Sequence, residues 1–209
     1  YQYDNGGVGS HKLTEVRLFV DANAANDRIT TFGYDWRNRP SSMTGDVNLR
    51  EEYTRDNQGR ITRVDQRNGT GGTLIGRSDV LYDLLGRVYR RTRFAVNVSS
   101  GSVGNGLSIN RWYDASGNLM KVARSGTALL IKHRYDGVGR RTFTFRTVNA
   151  ADNTYAEAAS VTTDTVMEQE ELLYDSAGNV TRVIFRQRFH DETAQGELAS
   201  PSTSPKARV

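Results

Sequence analysis

The sequence predicts an all-β protein built from repeated antiparallel β-hairpins. A short block, Tyr-Asp-x-x-Gly followed by Arg or Asn, recurs along the chain. Tyr, Val, Phe, Ile and Thr, which suit a pleated strand, are spread evenly between the copies. Helical propensity is confined to one short run, Asn153–Ala159. Self-similarity of this kind decides the architecture before any single motif does.

Four copies of the block are clear: Tyr82-Asp83 to Gly86, Tyr113-Asp114 to Gly117, Tyr135-Asp136 to Gly139, and Tyr174-Asp175 to Gly178. Asp opens a type I turn, and Gly at the fourth position supplies the positive φ that closes a three-residue hairpin loop. The Asp carboxylate is expected to accept from backbone N–H groups ahead of it. Three looser copies extend the series. Tyr3-Asp4 to Gly7 carries extra residues after its glycine. Tyr34-Asp35 ends in Asn38, the commonest substitute at positive φ. In Tyr53–Gly59 the turn Asp56-x-x-Gly59 is kept and the tyrosine stands two residues further upstream. Successive tyrosines are separated by 31, 19, 29, 31, 22 and 39 residues.

Taken in order, residues 13–20 read as a strand, 21–26 as a polar loop and 28–34 as the strand into the second turn. Pro40 argues against a central strand in the next segment. Residues 61–66 and 73–82 flank a tip at Asn68–Gly72. The Ser99–Gly106 run, rich in Gly and Ser, is expected to be a flexible loop between strands 88–98 and 107–113. Residues 119–123 and 128–135 form the tightest unit, and 143–148 precedes an insertion that accounts for the 39-residue spacing. Strands 165–174 and 180–189 follow. In the arms, apolar residues stand two and five after the turn glycine (Ile61/Val64, Leu119/Val122, Val180/Val183), a spacing that a β-bulge beyond each turn explains. Residues 1–189 are thus read as one array of about seven units, and 190–209 as loop or linker leading to a further repeat.

Mean hydropathy is −0.63, which favours a sheet with one wet face over a thick closed core. The net charge is +4, and all but 4 of the 28 basic residues are Arg. Because these arginines follow the repeat, they are read as cross-strand partners, not as a phosphate track, and no nucleic-acid partner is expected. There is no cysteine, and no apolar run approaches the ~20 residues of a membrane span. His11, His133 and His190 are scattered, without metal-ligand spacing. No phosphate loop ends the glycine runs and no nucleophile elbow occurs. The repeated aspartates cap turns on this reading, so no catalytic residue, metal site or cofactor is assigned. Trp36 and Trp112 are expected to pack on the sheet face; an aromatic platform for carbohydrate is the alternative.

Seven copies of a block this specific resemble the tyrosine–aspartate (YD) repeats of Rhs proteins, toxin-complex shell subunits and teneurins. The resemblance covers about residues 1–189. It implies a curved or spiralling sheet that is part of a hollow shell, non-catalytic, enclosing a polypeptide cargo such as a C-terminal toxin domain, and secreted or at the cell surface. An extracellular adhesion or carbohydrate-binding module is the second function it implies. The family's Asp-Pro-x-Gly-Leu processing motif is absent here, so no cleavage role is carried over. The partners implied are further repeats of a parent protein, or identical copies covering the strand edges at the two ends. Substituting Val at Gly86 or Gly117 is expected to destabilise more than at Gly101, which lies in the loose loop.

Overall fold

The computed structural model describes residues 1–3, 11–152, 154–198 and 207–208. It divides into two compact units, residues 1–85 with 91–106, and residues 86–90 with 107–209. Both are all-β, and within each the strands pair antiparallel in sequence order. Among the described residues no helix is long and apolar enough to cross a membrane, which says nothing of a β-barrel.

The first unit holds β1 (Gln2–Tyr3), β2 (Leu13–Leu18), β3 (Arg28–Tyr34), β4 (Pro40–Thr44), β5 (Leu49–Arg55), β6 (Ile61–Asn68) and β7 (Leu74–Tyr82). Its polar loop after β2 contains a single 3₁₀ turn, Ala24–Asn26, capped by Asn23. Apolar burial here is slight: Leu74 and Val80 are the buried hydrophobic residues among those described. Lateral ion pairs take up the role. Arg63 faces Asp79 directly across β6 and β7, and Arg77 faces Asp65, each as a two-point fork at 2.6–2.8 Å. Forked pairs of this kind fix geometry as well as charge.

β4 corrects the expectation drawn from Pro40. It pairs with β3 on one side and β5 on the other. Proline is tolerated because it is the strand's first residue, where a missing N–H breaks little of the ladder. A second correction concerns 99–106. β8 (Val88–Val96) stops short of that segment, and β9 (Val103–Tyr113) begins inside it and takes up residues 103–106. Its loop is a tight tip in which Gly101 donates to the Asn97 carbonyl at 2.7 Å, and the Asn97 side chain accepts from Ser99 and Ser100. Gly106 lies inside a strand because a Cβ there would stand 2.5 Å from the Thr92 methyl. Composition suggests looseness here, whereas the glycine answers a close approach.

The second unit holds β10 (Leu119–Arg124), β11 (Leu129–Tyr135), β12 (Arg141–Val148), β13 (Thr165–Tyr174), β14 (Val180–Arg188) and β15 (Ala207–Arg208). Its insertion carries one helical turn, α1 (Tyr155–Ala158), started by a reciprocal capping box between Thr154 and Glu157. Insertion and sheet together bury Phe145, Val161, Val166 and Leu198. Leu198 comes from the segment read as linker. Residues 192–198 lie on the sheet: Leu198 N–H donates to the Gln169 side chain at 2.8 Å, Gly196 N–H to the Asp164 carbonyl at 2.9 Å, and Arg188 holds the carbonyls of Glu192 and Ala194.

The bulge expected beyond the turns is present after those at 35–39, 56–60, 114–118, 136–140 and 175–179. Partners step from Arg55–Ile61 to Thr54–Arg63, from Tyr135–Arg141 to Arg134–Phe143, and from Tyr174–Val180 to Leu173–Arg182. Each step skips one residue: Thr62, Thr142 or Thr181. The skipped threonine donates its hydroxyl to the carbonyl eight residues back, at 3.2–3.3 Å. The skip returns residues two and five after the glycine to one face.

Candidate functional site

Two constructions stand out from the sheet: the turn ladder that the repeated block builds, and a buried ionic cluster in the second unit.

In five of the described blocks the Gly or Asn N–H donates to the Asp carbonyl at 2.8–3.1 Å (Asn38 to Asp35, Gly59 to Asp56, Gly117 to Asp114, Gly139 to Asp136, Gly178 to Asp175). The closing residues have φ of 58° at Asn38, 87° at Gly59, 82° at Gly86, 93° at Gly117, 83° at Gly139 and 88° at Gly178. The carboxylate does two jobs. Oδ1 accepts the backbone N–H four residues on at 2.7–2.9 Å, and Oδ2 accepts the side chain of that same residue at 2.7–3.0 Å. That residue is Arg39, Arg60, Asn118, Arg140 or Asn179. Asp83 accepts from Leu85 N–H at 3.0 Å. Asp4 and Gly7 lie outside the described residues; Tyr3 is an exposed residue of β1.

All five of these carboxyls are held below the usual carboxylate range. At Asp35, Asp136 and Asp175 the largest cause is the side chain of Arg39, Arg140 or Asn179. At Asp56 and Asp114 desolvation pulls upward and is outweighed by the Arg60 or Asn118 side chain together with backbone N–H groups. A depressed folded value means stability that is complete above the unfolded value and is lost as pH falls through the folded one. Denaturant midpoints should therefore stay level from neutrality to about pH 5 and fall below about pH 4. Equal midpoints at pH 3 and pH 6 would contradict this assignment of the carboxylates.

The tyrosine tells one repeat where the previous one is. Its hydroxyl donates to the carbonyl two residues after the preceding turn glycine: Tyr82 to Ile61, Tyr113 to Val88, Tyr135 to Leu119, Tyr174 to Arg141, at 2.7–3.0 Å. Tyr34 reaches Leu13 in the same way at 2.7 Å. Tyr53 does not. It donates to Glu51, and its own ionisation is pushed up to about 12 by burial and by that carboxylate. Arg55, immediately before Asp56, takes the position instead and donates to the Pro40 carbonyl at 3.0 Å, two residues after Asn38. Sequence reading missed this because it searched for a tyrosine; position before the Asp was the usable signal. Arginine binds the ladder in the other direction. Arg60, Arg87 and Arg140 each lie over the tyrosine of the following repeat, at 4.4, 4.7 and 4.7 Å from Tyr82, Tyr113 and Tyr174.

Gly101 also has positive φ, 74°, so the contrast expected between Gly117 and Gly101 loses its structural basis. The usable control lies inside one turn. Gly137 has ordinary backbone and open space around its missing Cβ, whereas Gly139 is left-handed. Gly139→Ala should destabilise by roughly 1–2 kcal/mol, and Gly137→Ala should be neutral or gain up to about 1 kcal/mol. Equal losses in denaturant titration would remove the turn assignment.

The cleft beside the 114–118 and 136–139 turns has a volume of about 640 Å³ and is open to solvent. Asp114 and Asp136 line it, already committed to their own turns. His133, also on its wall, is held below its ordinary value chiefly by burial, and its Nδ1 stands 3.3 Å from the Thr144 hydroxyl. Among the described residues no three His, Asp or Glu converge as a metal site requires. Trp36 is exposed with Arg37 over its ring at 4.3 Å, and Trp112 covers the Lys121 ammonium at 4.0 Å.

That ammonium belongs to the second construction. Lys121 and Lys132 are direct cross-strand partners on β10 and β11, and both are essentially inaccessible to solvent. Facing like charges repel unless an anion intervenes. Asp152, from the insertion, stands between them, with Oδ1 2.5 Å from Lys121 and Oδ2 2.5 Å from Lys132. Lys132 also meets Asp164 at 2.7 Å and the carbonyls of Glu157 and Ser160. Thr147 and Asn149 hold the Asp164 carboxylate, each at 2.9 Å. Two cations and two anions thus neutralise each other, and they anchor the insertion to the sheet.

No family model matches the chain, and no curated protein matches it. Solved structures do. It is similar to the crystal structure of TcdB2-TccC3-Cdc42, with 12% identity, a TM-score of 0.45, and coverage of 86% of this chain and 11% of that one. The crystal structure of TcdB2-TccC3 gives 12% identity and a TM-score of 0.44, covering 96% of this chain and 12% of the other. A Photorhabdus luminescens Tc holotoxin pore gives 12% and 0.42, covering 86% and 11%. The chain thus spans about a ninth of the length of these relatives. Its own turns, tyrosine struts and stacked arginines make it an all-β array of repeated hairpins that resembles the tyrosine–aspartate repeat proteins.

Proposed function

We propose that this chain is a non-catalytic segment of a YD-repeat β-shell that scaffolds or encloses a polypeptide cargo such as a toxin domain, in a secreted or surface-displayed protein. The observation that carries the reading is the ladder along the turns. Every described Asp of the block is engaged in its own turn, and the tyrosines and arginines tie each turn to a neighbour. Side chains so committed build a wall; none is left to act on a substrate. In repeat architectures each unit contacts mainly its neighbours, so the natural partners are further repeats of one parent protein or identical copies.

The test is a density map of the intact parent protein, joined to limited proteolysis of its remaining domains. A sheet enclosing protected polypeptide is the expected result. An open sheet with every other domain equally digestible would overturn the proposal. So would metal-dependent turnover that is lost in Asp114→Asn while the circular dichroism is unchanged.

A further inference from the structure

We propose that Lys121 and Asp152 become joined by an intramolecular amide bond between Nζ and Cγ. The site meets what such a condensation needs. Nζ stands 2.5 Å from Oδ1, both side chains have no solvent exposure, and the Trp112 ring closes the remaining side of the amine. Water, which would hydrolyse an acyl centre and solvate the charges, is excluded. The two lysines are not equivalent. Lys132 contacts two carboxylates and two carbonyls. Among the described residues Lys121 has Asp152 as its hydrogen-bond partner, through its carboxylate and its carbonyl, besides the ring. Lys121 is therefore the nucleophile, and Lys132 the fixed charge at Oδ2.

The bond forms without any further reagent. The Lys121 ammonium passes one proton to Asp152 Oδ1 across their contact, leaving an amine beside a carboxylic acid. This removes two buried charges whose desolvation is costly, while the Lys132–Asp164 pair stays intact. Nζ attacks Cγ, and the negative charge that develops on Oδ2 meets the preorganised Lys132 ammonium. The Cγ–Oδ1 bond then breaks. Oδ1 leaves as water, carrying the proton it received and a second from Nζ, and the amide nitrogen keeps the third. Proximity of this order replaces the activation that a free amine and acid would require. The bond would tie β10 covalently to the insertion that covers it.

Intact-mass spectrometry of the purified 209-residue chain decides the matter. The expected mass is that of the sequence less one water molecule, with a tryptic fragment in which the peptides containing Lys121 and Asp152 remain joined. Lys121→Arg and Asp152→Ala should each carry the full mass. A folded wild-type chain with the full mass of its sequence would overturn the proposal, with no variant needed. A loss of water that persists in Lys121→Arg would overturn it equally, since the dehydration would lie elsewhere.

Discussion

Lys132→Ala should destabilise the second unit by roughly 3–5 kcal/mol, the usual consequence of removing one partner from a buried ion pair. The loss comes less from the attraction removed than from what is left behind. Asp164 would remain buried with Thr147 and Asn149 as its side-chain donors among the described residues, and the carbonyls of Glu157 and Ser160 would lose their contact with the ammonium. The insertion should then become the first point of proteolysis. Arg146→Ala provides the comparison. Its pair with Glu168 is solvent-exposed, with the arginine side chain 59% accessible, and such pairs contribute about 0–1 kcal/mol. Denaturant titration of both variants measures the difference. Similar losses in the two would mean that the cluster is not the anchor of the insertion.

Phe145→Ala should have an effect of the same size, roughly 3–5 kcal/mol, by a different route. Phe145 is 2% exposed, packs with Val161, Val166 and Leu198, and stacks on Phe143 with centroids 5.5 Å apart. Val161, Val166 and Leu198 come from outside β12, so a cavity there loosens the insertion, β13 and the 192–198 segment together. Beyond this cluster, the buried hydrophobic residues described in the unit are Met120, Leu130 and Ala158. A loss under about 1 kcal/mol in the same titration would show that the site collapses around the smaller side chain.

The turn ladder was legible because its signal is local. Asp at the first position and Gly or Asn at the fourth specify a backbone path within five residues, and the apolar spacing of three beyond the turn already implied the bulge. What was illegible depended on contacts far apart in the chain. Arg55 replaces a tyrosine because a long donor at that position reaches Pro40, and residue type alone concealed it behind the misleading Tyr53. Lys121 and Lys132 belong to no local motif, and only the register sets them opposite each other. The hint was available, since two of only four lysines in an arginine-rich chain fall on adjacent strands. Leu198 lay in a polar segment whose destination no short-range pattern could indicate. Pro40 and Gly106 misled for the converse reason: their effect depends on place in the strand, and composition carries no place.

The tyrosine strut reaches only from one turn to the one before it, and that short reach separates two kinds of sequence freedom. In each unit the repeated turns stand at one end of the strands, where spacing, donor and acceptor are all prescribed. The other end is under no such prescription. It is closed in the first unit by links at 19–27, 45–48 and 69–73 and the compact tip at 97–102, and in the second by the brief link at 125–128 or by the whole insertion at 149–164. Lengthening a strand by two residues, or grafting a foreign loop at that far end, leaves every strut and stacked arginine in place. New surface can therefore be added to such an array without renegotiating the joints that hold it together.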